Sequence, residues 1–327
     1  MKYVRIEGSR KLSSFIEPMK AQLTDLPAFN SPDWIFEIKW DGYRAIAEIN
    51  KSENKLYSRN GLTFDKAYPK VFEALKSIKA DTVIDGEIVV FDENGKPNFQ
   101  KLQNYQNRDK FVIQYYVFDC LKFNGKSIGH LPLLERKQIV RDLLPKSDVI
   151  KYCDHVEDEG KVLFKEMQKM NLEGMIAKRK NSNYQIGKRT SDWLKIKNVK
   201  TQEAIIVGFT APKGSRSSFG SLLLAVKKKA KLAYIGNVGT GFTDKSLKDL
   251  HSKLKKIIRK SSALEVPLKD SDITWVDPVL VCNIKYTEIT DEGSVRHPVF
   301  QGLRVDKVPG EVTLEKAKSV KPKRSTR

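Results

Sequence analysis

The sequence predicts an α+β protein of two domains, and three observations support that class. Strand-like and helix-like segments are mixed along the first 199 residues without regular β–α alternation, which argues against a parallel doubly wound sheet. After residue 200, short strand-like segments separated by glycine-rich turns predominate. A length of 327 residues is typical of two domains rather than one. We therefore expect a first domain over residues 1–199 and a second domain over 200–310.

In the first domain, apolar periodicity places each element. Alternating or continuous apolar residues predict strands at 34–38, 43–49, 82–91, 111–119, 174–178 and 192–197. Helical spacing predicts helices at 68–78, 134–144 and 158–170. Because the helices interrupt the strands irregularly, we expect mixed or antiparallel sheets.

The second domain has the pattern of a small barrel. Strands are predicted at 203–210, 221–226, 231–238 and 279–288, and one helix carries Leu247, Leu250 and Leu254 on one side. Several short strands with one helix are typical of a Greek-key barrel of the OB type. The segment GNVGTG is a weak phosphate-loop signal, and a tight barrel turn is favoured. Residues 311–327 carry six basic and two acidic residues, which predicts a disordered basic tail.

Composition restricts the class of partner and the compartment. The chain has 60 Lys and Arg against 40 Asp and Glu, a formal net charge of +20, which favours a polyanionic partner. No apolar stretch approaches the roughly 18 residues of a membrane span, and the N-terminus lacks the apolar region of a secretory signal. The three cysteines are widely spaced and form no CxxC pair, which argues against zinc and fits a reducing compartment. We expect a cytoplasmic protein.

One short motif carries most of the chemical information. Lys39-Trp40-Asp41-Gly42-Tyr43-Arg44 has the fixed positions K-x-D-G-x-R, which arise by chance on the order of a few times per thousand chains of this length. A solvated turn at Asp41–Gly42 is the alternative interpretation. A lysine nucleophile must be neutral, yet at an unperturbed pKa only about one in 2,500 is neutral at pH 7. We therefore expect nearby cations and a metal to lower the pKa of Lys39.

Further charged and aromatic motifs follow in a fixed order. They are Ser58-Arg59-Asn60-Gly61, Asp85-Gly86-Glu87, Phe118-Asp119, Glu173-Gly174-Met175-Ile176-Ala177-Lys178 and Trp193-Leu194-Lys195-Ile196-Lys197. A carboxylate within an apolar strand is costly unless it is paired, hydrogen-bonded or bound to a metal. Alternation places Lys195 and Lys197 on one strand face. Taken singly, each motif has a structural explanation: Phe118 as core, Glu87 as an ion pair, the two lysines as a solvated face.

In this order, the motifs resemble the covalent nucleotidyltransferase superfamily, and most closely the ATP-dependent DNA ligases. KWDGYR resembles motif I, SRNG motif Ia, DGEIVVFD motif III, YYVFDCLKFNG motif IIIa, EGMIAK motif IV, WLKIK motif V and RHPVFQGLRVDK motif VI. The resemblance spans about residues 15–310. It implies a nucleotidyltransferase (adenylation) domain followed by an OB-fold domain. It also implies sealing of 5′-phosphate/3′-hydroxyl nicks in duplex DNA through a Lys39–AMP intermediate and a DNA-adenylate.

The resemblance implies a role for each motif residue. Lys39 attacks the α-phosphate of ATP. The residues that bind the adenosine part are Glu37 (adenine), Phe118 (stacking), Arg44 and Arg59 (sugar and phosphate) and Glu87 (ribose hydroxyl). Mg²⁺, with Mn²⁺ as a substitute, is held by Glu87 and Glu173. The phosphates are held by Arg189, Lys195 and Lys197, and the departing pyrophosphate is oriented by Arg304, Asp306 and Lys307.

The implied partner is nicked duplex DNA. The 38 residues before Lys39 cannot contain the helical DNA-binding domain of the larger ligases, and the phrases GSRSSFGSLLLAV and GNVGTGF resemble the compact bacterial end-joining ligases. Basic segments are therefore expected to hold the DNA; the candidates are Lys213–Arg216, Lys227–Lys231 and a helix bearing Lys248, Lys253, Lys255 and Lys256. By analogy, we expect a monomer associated with the nucleoid and a bacterial Ku-type end-binding protein as partner.

Other functions share part of this pattern. An RNA-capping guanylyltransferase has K-x-D-G-x-R, and an RNA ligase belongs to the same superfamily, but EGMIAK and RHPVFQGLRVDK fit DNA ligases better. An NAD-dependent ligase is disfavoured, since there is no room before Lys39 for a nicotinamide-recognising domain and no four-cysteine zinc site. A non-catalytic DNA-binding module is also disfavoured, because binding alone requires none of Lys39, Glu87, Glu173 and Lys195.

Overall fold

The structure, a computed structural model, describes residues 9–103, 105, 111–212, 218–266, 268, 272–290 and 292–315. Tertiary contacts divide it into two compact domains between Val199 and Lys200. The division falls where the sequence changes from a mixed pattern to short strands and glycine-rich turns.

The first domain contains eleven strands and four helices within the described residues. The strands are β1 (Lys20–Leu23), β2 (Ser31–Ile38), β3 (Tyr43–Ile49), β4 (Lys55–Ser58), β5 (Thr82–Phe91), β6 (Val112–Phe123), β7 (Lys126–Ser127), β8 (Ile150–Tyr152), β9 (Val156–Asp158), β10 (Gly174–Arg179) and β11 (Arg189–Lys197). The helices are α1 (Pro69–Leu75), α2 (Phe99–Gln103), α3 (Leu133–Leu143) and α4 (Gly160–Lys169).

These strands form two sheets. Sheet A has the strand order β1-β11-β10-β2-β9, and sheet B has the order β4-β3-β5-β6-β7 with β8 beside β6. Most pairs are antiparallel, whereas β1–β11 and β6–β8 are parallel, so the predicted α+β class with mixed sheets is confirmed. Because β2 belongs to sheet A and β3 to sheet B, the four residues Lys39–Gly42 connect the sheets.

Burial explains why these segments form strands. β5 is buried at nearly every position, as expected for a continuous apolar run inside a sheet. Only Glu87 and Phe91 of this strand are partly exposed. The central position of β5 between β3 and β6 therefore brings the Asp85-Gly86-Glu87 motif into the interior of the domain, next to the start of β3.

Within the described residues, the second domain consists of a five-stranded barrel, a separate two-stranded sheet and one α-helix. Its elements are β12 (Thr201–Thr210), β13 (Leu222–Lys228), β14 (Lys231–Val238), α5 (Asp244–Lys255), β15 (Ile273–Lys285), β16 (Glu288–Ile289), β17 (Val295–Arg296), β18 (Val299–Leu303) and a 3₁₀ turn at Pro309–Glu311. The apolar side of α5 is buried through Leu247, Leu250 and Leu254, as the sequence spacing predicted.

One backbone contact closes the barrel. The sheet order is β14-β13-β12-β15-β18, and Thr240, just after β14, forms a parallel bridge with Val299 of β18. The Phe300 N–H donates to the Thr240 carbonyl at 2.9 Å. The predicted OB-type barrel is therefore confirmed, and the GNVGTGF segment is its closing turn rather than a phosphate loop.

The structure differs from the sequence prediction at the start of the basic tail. We expected disorder from residue 311, but Val312 is 1% exposed and its carbonyl accepts a 2.7 Å hydrogen bond from the Lys227 N–H. The Gln202 side chain also donates to the Thr313 carbonyl and accepts from the Glu315 N–H. The apolar side chain and these backbone partners attach residues 311–315 to the barrel.

Two predicted segments lie outside the described residues. They are Lys213–Arg216 and the remainder of the tail, Lys316–Arg327. Within the described part of the chain, no helix is both long and apolar enough to cross a membrane.

Candidate active site

Lys39 lies at the corner between the two sheets, directly after β2. Its backbone N–H donates to the Gly174 carbonyl at 2.9 Å, and its Nζ forms an ion pair with the Glu173 carboxylate. Gly174 has φ +146°, and a Cβ there would lie 2.3 Å from the Ile196 carbonyl oxygen. Only glycine therefore permits the turn that brings Glu173 beside Lys39 at the start of β10.

Gly42 of the K-x-D-G-x-R motif is required by close packing. A Cβ at this position would lie 2.2 Å from the Ile88 carbonyl oxygen of β5. The side chains of Lys39 and Glu173 are only 20% and 10% exposed. The motif is thus a packed corner between strands and not the solvated turn that was the alternative interpretation.

The pKa of Lys39 is raised, which is opposite to the expectation from the sequence. Burial alone would lower this pKa, but the carboxylates of Glu173, Asp41 and Glu87 favour the ammonium form more strongly. The expectation of a lowered pKa is therefore wrong for the arrangement that the structure shows. The raised pKa of Lys39 is caused mainly by the ion pair with Glu173, which is 134 residues away in the sequence.

Two further cations of β11 lie near Glu173. Lys197 pairs with Gly174 and Lys195 with Ile176 in the antiparallel register of β10 and β11. Both lysines are half-buried while Ile196 between them is buried, so they share one strand face as predicted. Burial would raise the pKa of Glu173, but Lys39, Lys197 and Lys195 together lower it. The carboxylate is therefore held ionised among three lysines.

A closed ring of hydrogen bonds fixes Arg44. Its Nε and Nη2 donate to the two carboxylate oxygens of Asp85 at 2.6 and 2.5 Å, and Nη2 also donates to the Met19 carbonyl at 3.1 Å. The Tyr184 hydroxyl donates to Asp85 Oδ2 at 2.6 Å and accepts from the Met19 N–H at 3.0 Å. The ring holds the Arg44 guanidinium 4.7 Å from the centre of the Phe118 ring.

A second buried network surrounds Glu37. Its Oε1 lies 2.6 Å from Lys137 Nζ and its Oε2 lies 2.7 Å from Lys178 Nζ. Lys178 Nζ also lies over the rings of Phe118 and Trp193, at 4.3 and 4.1 Å from their centres. Burial would raise the pKa of Glu37, but the two ammonium groups lower it. The predicted adenine-reading and stacking residues are thus brought together, with Lys178 between them.

Sequence reasoning assigned no role to several of these residues. Arg136 and Lys137 lie on the buried side of α3, together with Leu133 and Val140. Charged residues at core positions of an amphipathic helix were the available signal. Arg136 donates to both oxygens of Asp119 at 2.7 and 3.0 Å, which explains the acidic residue after Phe118.

The other predicted residues of the first domain are placed as follows. Glu87 lies in β5 opposite Arg44, and its charge contributes to the raised pKa of Lys39. Arg59 follows β4 directly and is half-buried. Arg189 is exposed at the start of β11, where its Nη1 donates to the Ala21 carbonyl of β1 at 2.5 Å.

The motif VI residues belong to the second domain and have partners there. Arg304 donates to both oxygens of Asp306 at 2.9 and 2.8 Å, and Asp306 is buried. Lys307 Nζ lies 2.6 Å from Glu203 of β12. These pairs connect the residues that follow β18 to one another and to β12. Their action on pyrophosphate stays a prediction.

The carboxylates near Lys39 suit a metal that is bound together with phosphates. Glu173 and Glu87 are the predicted ligands, and the described residues contain no group of three or more His, Cys, Asp or Glu side chains that could hold a metal. Mg²⁺ commonly uses one or two carboxylates, keeps several waters and takes its remaining ligands from substrate phosphates. The residues present therefore fit a magnesium–nucleotide complex rather than a metal centre built from protein alone.

Comparisons with known proteins bear on both domains. The ATP dependent DNA ligase domain matches residues 17–197, and the ATP dependent DNA ligase C terminal region matches 215–307. The multifunctional non-homologous end joining protein LigD of Mycolicibacterium smegmatis is 36% identical over 304 residues, which are 91% of this chain and 39% of that protein. LigD of Pseudomonas aeruginosa is 35% identical over 330 residues, 98% of this chain and 39% of that protein.

A solved structure agrees with these matches. Mycobacterial DNA ligase D complexed with ATP and MES is similar with a TM-score of 0.69 and 32% sequence identity, over 91% of this chain and 98% of that chain. The chain spans about two fifths of the length of the two LigD relatives. The similarity therefore covers both domains described above, but only part of those longer proteins.

Proposed function

The chain belongs to the ATP-dependent DNA ligase family, and we propose that it seals nicks with a 5′-phosphate and a 3′-hydroxyl in duplex DNA. The observation that carries the proposal is the position of Lys39 where the two sheets meet, with Glu173, Lys195 and Lys197 around it. Phosphoryl transfer depends mainly on positioning and on neutralising negative charge. This corner offers an amine, a carboxylate for a metal, and two cations for phosphates.

The proposed reaction has three steps. The Lys39 amine attacks the α-phosphorus of ATP, so that a P–N bond forms, the bond to pyrophosphate breaks and Nζ loses a proton. The 5′-phosphate oxygen of the nick then attacks the same phosphorus, and Lys39 leaves with a proton. Finally, the 3′-hydroxyl attacks the 5′-phosphorus and loses its proton, so that a P–O bond forms, the bond to AMP breaks, AMP departs and the strand is continuous.

The raised pKa of Lys39 sets a condition on the first step. In the structure the amine is held as an ammonium by Glu173, and an ammonium has no lone pair for attack. Mg²⁺ at Glu173 and Glu87, with Mn²⁺ as substitute, would neutralise phosphate charge and compete with Lys39 for the carboxylate. Lys195 and Lys197 remain beside Glu173 to hold the phosphates.

The remaining motif residues are proposed to bind the other parts of ATP. Phe118 stacks on adenine and Glu37 reads it, while Arg44, fixed by Asp85, contacts the sugar. The other proposed contacts are Glu87 to the ribose hydroxyl, Arg59 to sugar and phosphate, Arg189 to the phosphates, and Arg304, Asp306 and Lys307 to the pyrophosphate.

Nick sealing by the pure protein tests the proposal. The protein is incubated with Mg²⁺ and either labelled ATP or labelled GTP, denatured, and examined for a label on the chain. It is then given nicked DNA and nicked RNA duplexes of the same sequence. We expect label from ATP alone and sealing of DNA. Label from GTP would indicate a capping guanylyltransferase, and sealing of RNA alone would indicate an RNA ligase.

We also propose a role at double-strand breaks, because the two LigD relatives are named as end-joining proteins. The proposed setting is the bacterial nucleoid in the cytoplasm, with the chain acting as a monomer and a Ku-type end-binding protein as partner. The test compares joining of linear DNA with and without the Ku-type protein of the same organism, using nick sealing as the control. Equal stimulation of both reactions, or of neither, would contradict this role.

A further inference from the structure

The ion-pair network of Glu37 contains one more lysine than a structural ion pair needs. One cation neutralises a buried carboxylate, yet Lys137 and Lys178 each contact one of its two oxygens, at 2.6 and 2.7 Å. All three side chains are at most 2% exposed. Burying three ionisable groups is costly and contributes little to stability, which makes this network a candidate for a role in specificity.

Lys137 is fixed from several directions. Its Nζ donates to Glu37 Oε1 at 2.6 Å and to the Cys153 carbonyl at 2.9 Å, and it lies 4.7 Å from the centre of the Tyr152 ring. Its backbone belongs to α3, whereas Glu37 belongs to β2 of sheet A. Lys137 therefore holds the Glu37 carboxylate from outside the sheet, and its own position does not depend on Glu37 alone.

The other side of the carboxylate faces the aromatic residues. Lys178 contacts Glu37 Oε2 and lies over Phe118 and Trp193, so that a single nitrogen, Lys178 Nζ, lies between the carboxylate and the ring on which the base is proposed to stack. Burial and the charge of Lys137 lower the pKa of Lys178, although Glu37 opposes this shift. Despite burial, the pKa of Glu37 is lowered, chiefly by Lys137, so the carboxylate stays ionised, and an ionised carboxylate accepts hydrogen bonds but donates none. It suits a 6-amino group and disfavours a 6-oxo group.

We propose that Lys137 is a positioning residue that fixes Glu37 as an acceptor for the 6-amino group of adenine, and thereby biases the site against 6-oxopurine nucleotides. The inference rests on the proposed function, since it requires that Lys39 become nucleotidylated. Lys137 itself touches no nucleotide. Its effect passes through Glu37, so replacing it alters the choice of base more than the binding of phosphates.

The test compares ATP with inosine triphosphate, which differs by a 6-oxo group in place of the 6-amino group. Covalent labelling of the full chain is measured as the rate constant divided by the nucleotide concentration at half-maximal rate. For Lys137→Met and Lys137→Gln we expect the ratio of ATP to inosine triphosphate efficiency to fall by about tenfold, as for loss of one charged hydrogen bond. Lys137→Arg keeps a cation at this position, so its ratio should stay close to that of the unaltered protein.

Two comparisons separate positioning from stability. Val140→Ala lies on the same buried stripe of α3 and should lower the melting temperature while leaving the nucleotide ratio unchanged. In Glu37→Gln, the amide can both donate and accept, so the ratio falls; adding Lys137→Met to it should cause no further fall, because both changes act through one group.

The possible outcomes are distinct. Equal losses with both nucleotides in the Lys137 variants, or a further tenfold fall in the double variant, would overturn the inference. If Lys137→Met does not fold, the Lys137→Gln and Lys137→Arg pair still measures the ratio. If the unaltered protein forms no covalent adduct with ATP at all, the proposed function itself fails, whereas an adduct with an unchanged ratio in the variants contradicts only the role of Lys137.

Discussion

The Tyr184 hydroxyl donates a 2.6 Å hydrogen bond to the carboxylate of Asp85, from which it is separated by 99 residues in the sequence. The same hydroxyl accepts from the Met19 N–H, and the Met19 carbonyl accepts from Arg44. A hydroxyl has one proton, so Tyr184 can close this ring only by donating to the acid and accepting from the backbone. The ring links the segment before β1 to the arginine of the nucleotide-binding motif.

Tyr184→Phe tests the importance of that ring. The substitution leaves the Met19 N–H without this partner in a buried position, which should cost about 1–3 kcal/mol in the free energy of unfolding. Arg44 keeps its two hydrogen bonds to Asp85, so we expect adduct formation to be slowed severalfold but not abolished. Urea denaturation and labelling with ATP measure the two effects. Unchanged stability would show that the ring contributes little.

Lys39→Ala and Lys39→Arg should both abolish the covalent adduct. The P–N bond requires a primary amine at this position, and a guanidinium cannot lose its proton at working pH. Both variants should remain folded, because Glu173 retains the neighbouring charges of Lys195 and Lys197. The measurement is label retained after denaturation, with circular dichroism as a control of folding. Label on either variant would mean that the nucleophile is another residue.

Lys307→Ala should separate the first reaction step from the last. If Lys307 orients the departing pyrophosphate, its loss should slow adduct formation at least about tenfold and leave sealing of DNA that is already 5′-adenylated nearly unchanged. The control is Glu203→Gln, which removes the charge of its partner but keeps the lysine. Asp306 is less suitable, because it is buried and its loss would destabilise the domain. Equal losses in both assays would contradict the assignment.

The exposed lysines of α5 and its C-terminal end should contribute to DNA affinity through phosphates. Lys248, Lys253 and Lys256 are exposed, opposite the buried leucines of this helix. Replacing all three by Ser should weaken binding to nicked DNA of any sequence. The slope of log affinity against log salt concentration should become shallower by about 0.9 for each phosphate that is no longer neutralised. The matched control replaces Lys161, Lys165 and Lys169 on α4. If both triple variants have the same slope, α5 is not the DNA-binding surface.

The order of motifs in the sequence predicted which residues matter, but not how they are paired. The continuous apolar run of β5 and the helical spacing of apolar residues in α3 and α5 were visible locally, because burial imposes its pattern on the chain. β1, β8 and β9 have only three or four residues, and they are strands only because distant partners pair with them. No local pattern could reveal such short strands.

The same reason explains the wrong expectation for the pKa of Lys39. The sequence shows that cations surround the nucleophile, but the sign of the pKa shift depends on the ion pair with Glu173, which only the fold creates. Likewise, the pairing of Glu37 with Lys137 spans 100 residues. The prediction of disorder, which was based on composition, was wrong for residues 311–315. One apolar side chain, Val312, and a few backbone hydrogen bonds fix these residues on the barrel.

The bridge between Thr240 and Val299 has a consequence for synthesis of the chain. β18 covers the outer edge of β15 and, through this bridge, closes the side of β14, so both edges stay open until β18 has been made and has paired. At roughly 5–20 residues per second, the ribosome exposes these edges for on the order of seconds. Open strand edges recruit other chains. Any delay in the pairing of β18 prolongs this exposure and should therefore lower the yield of soluble protein.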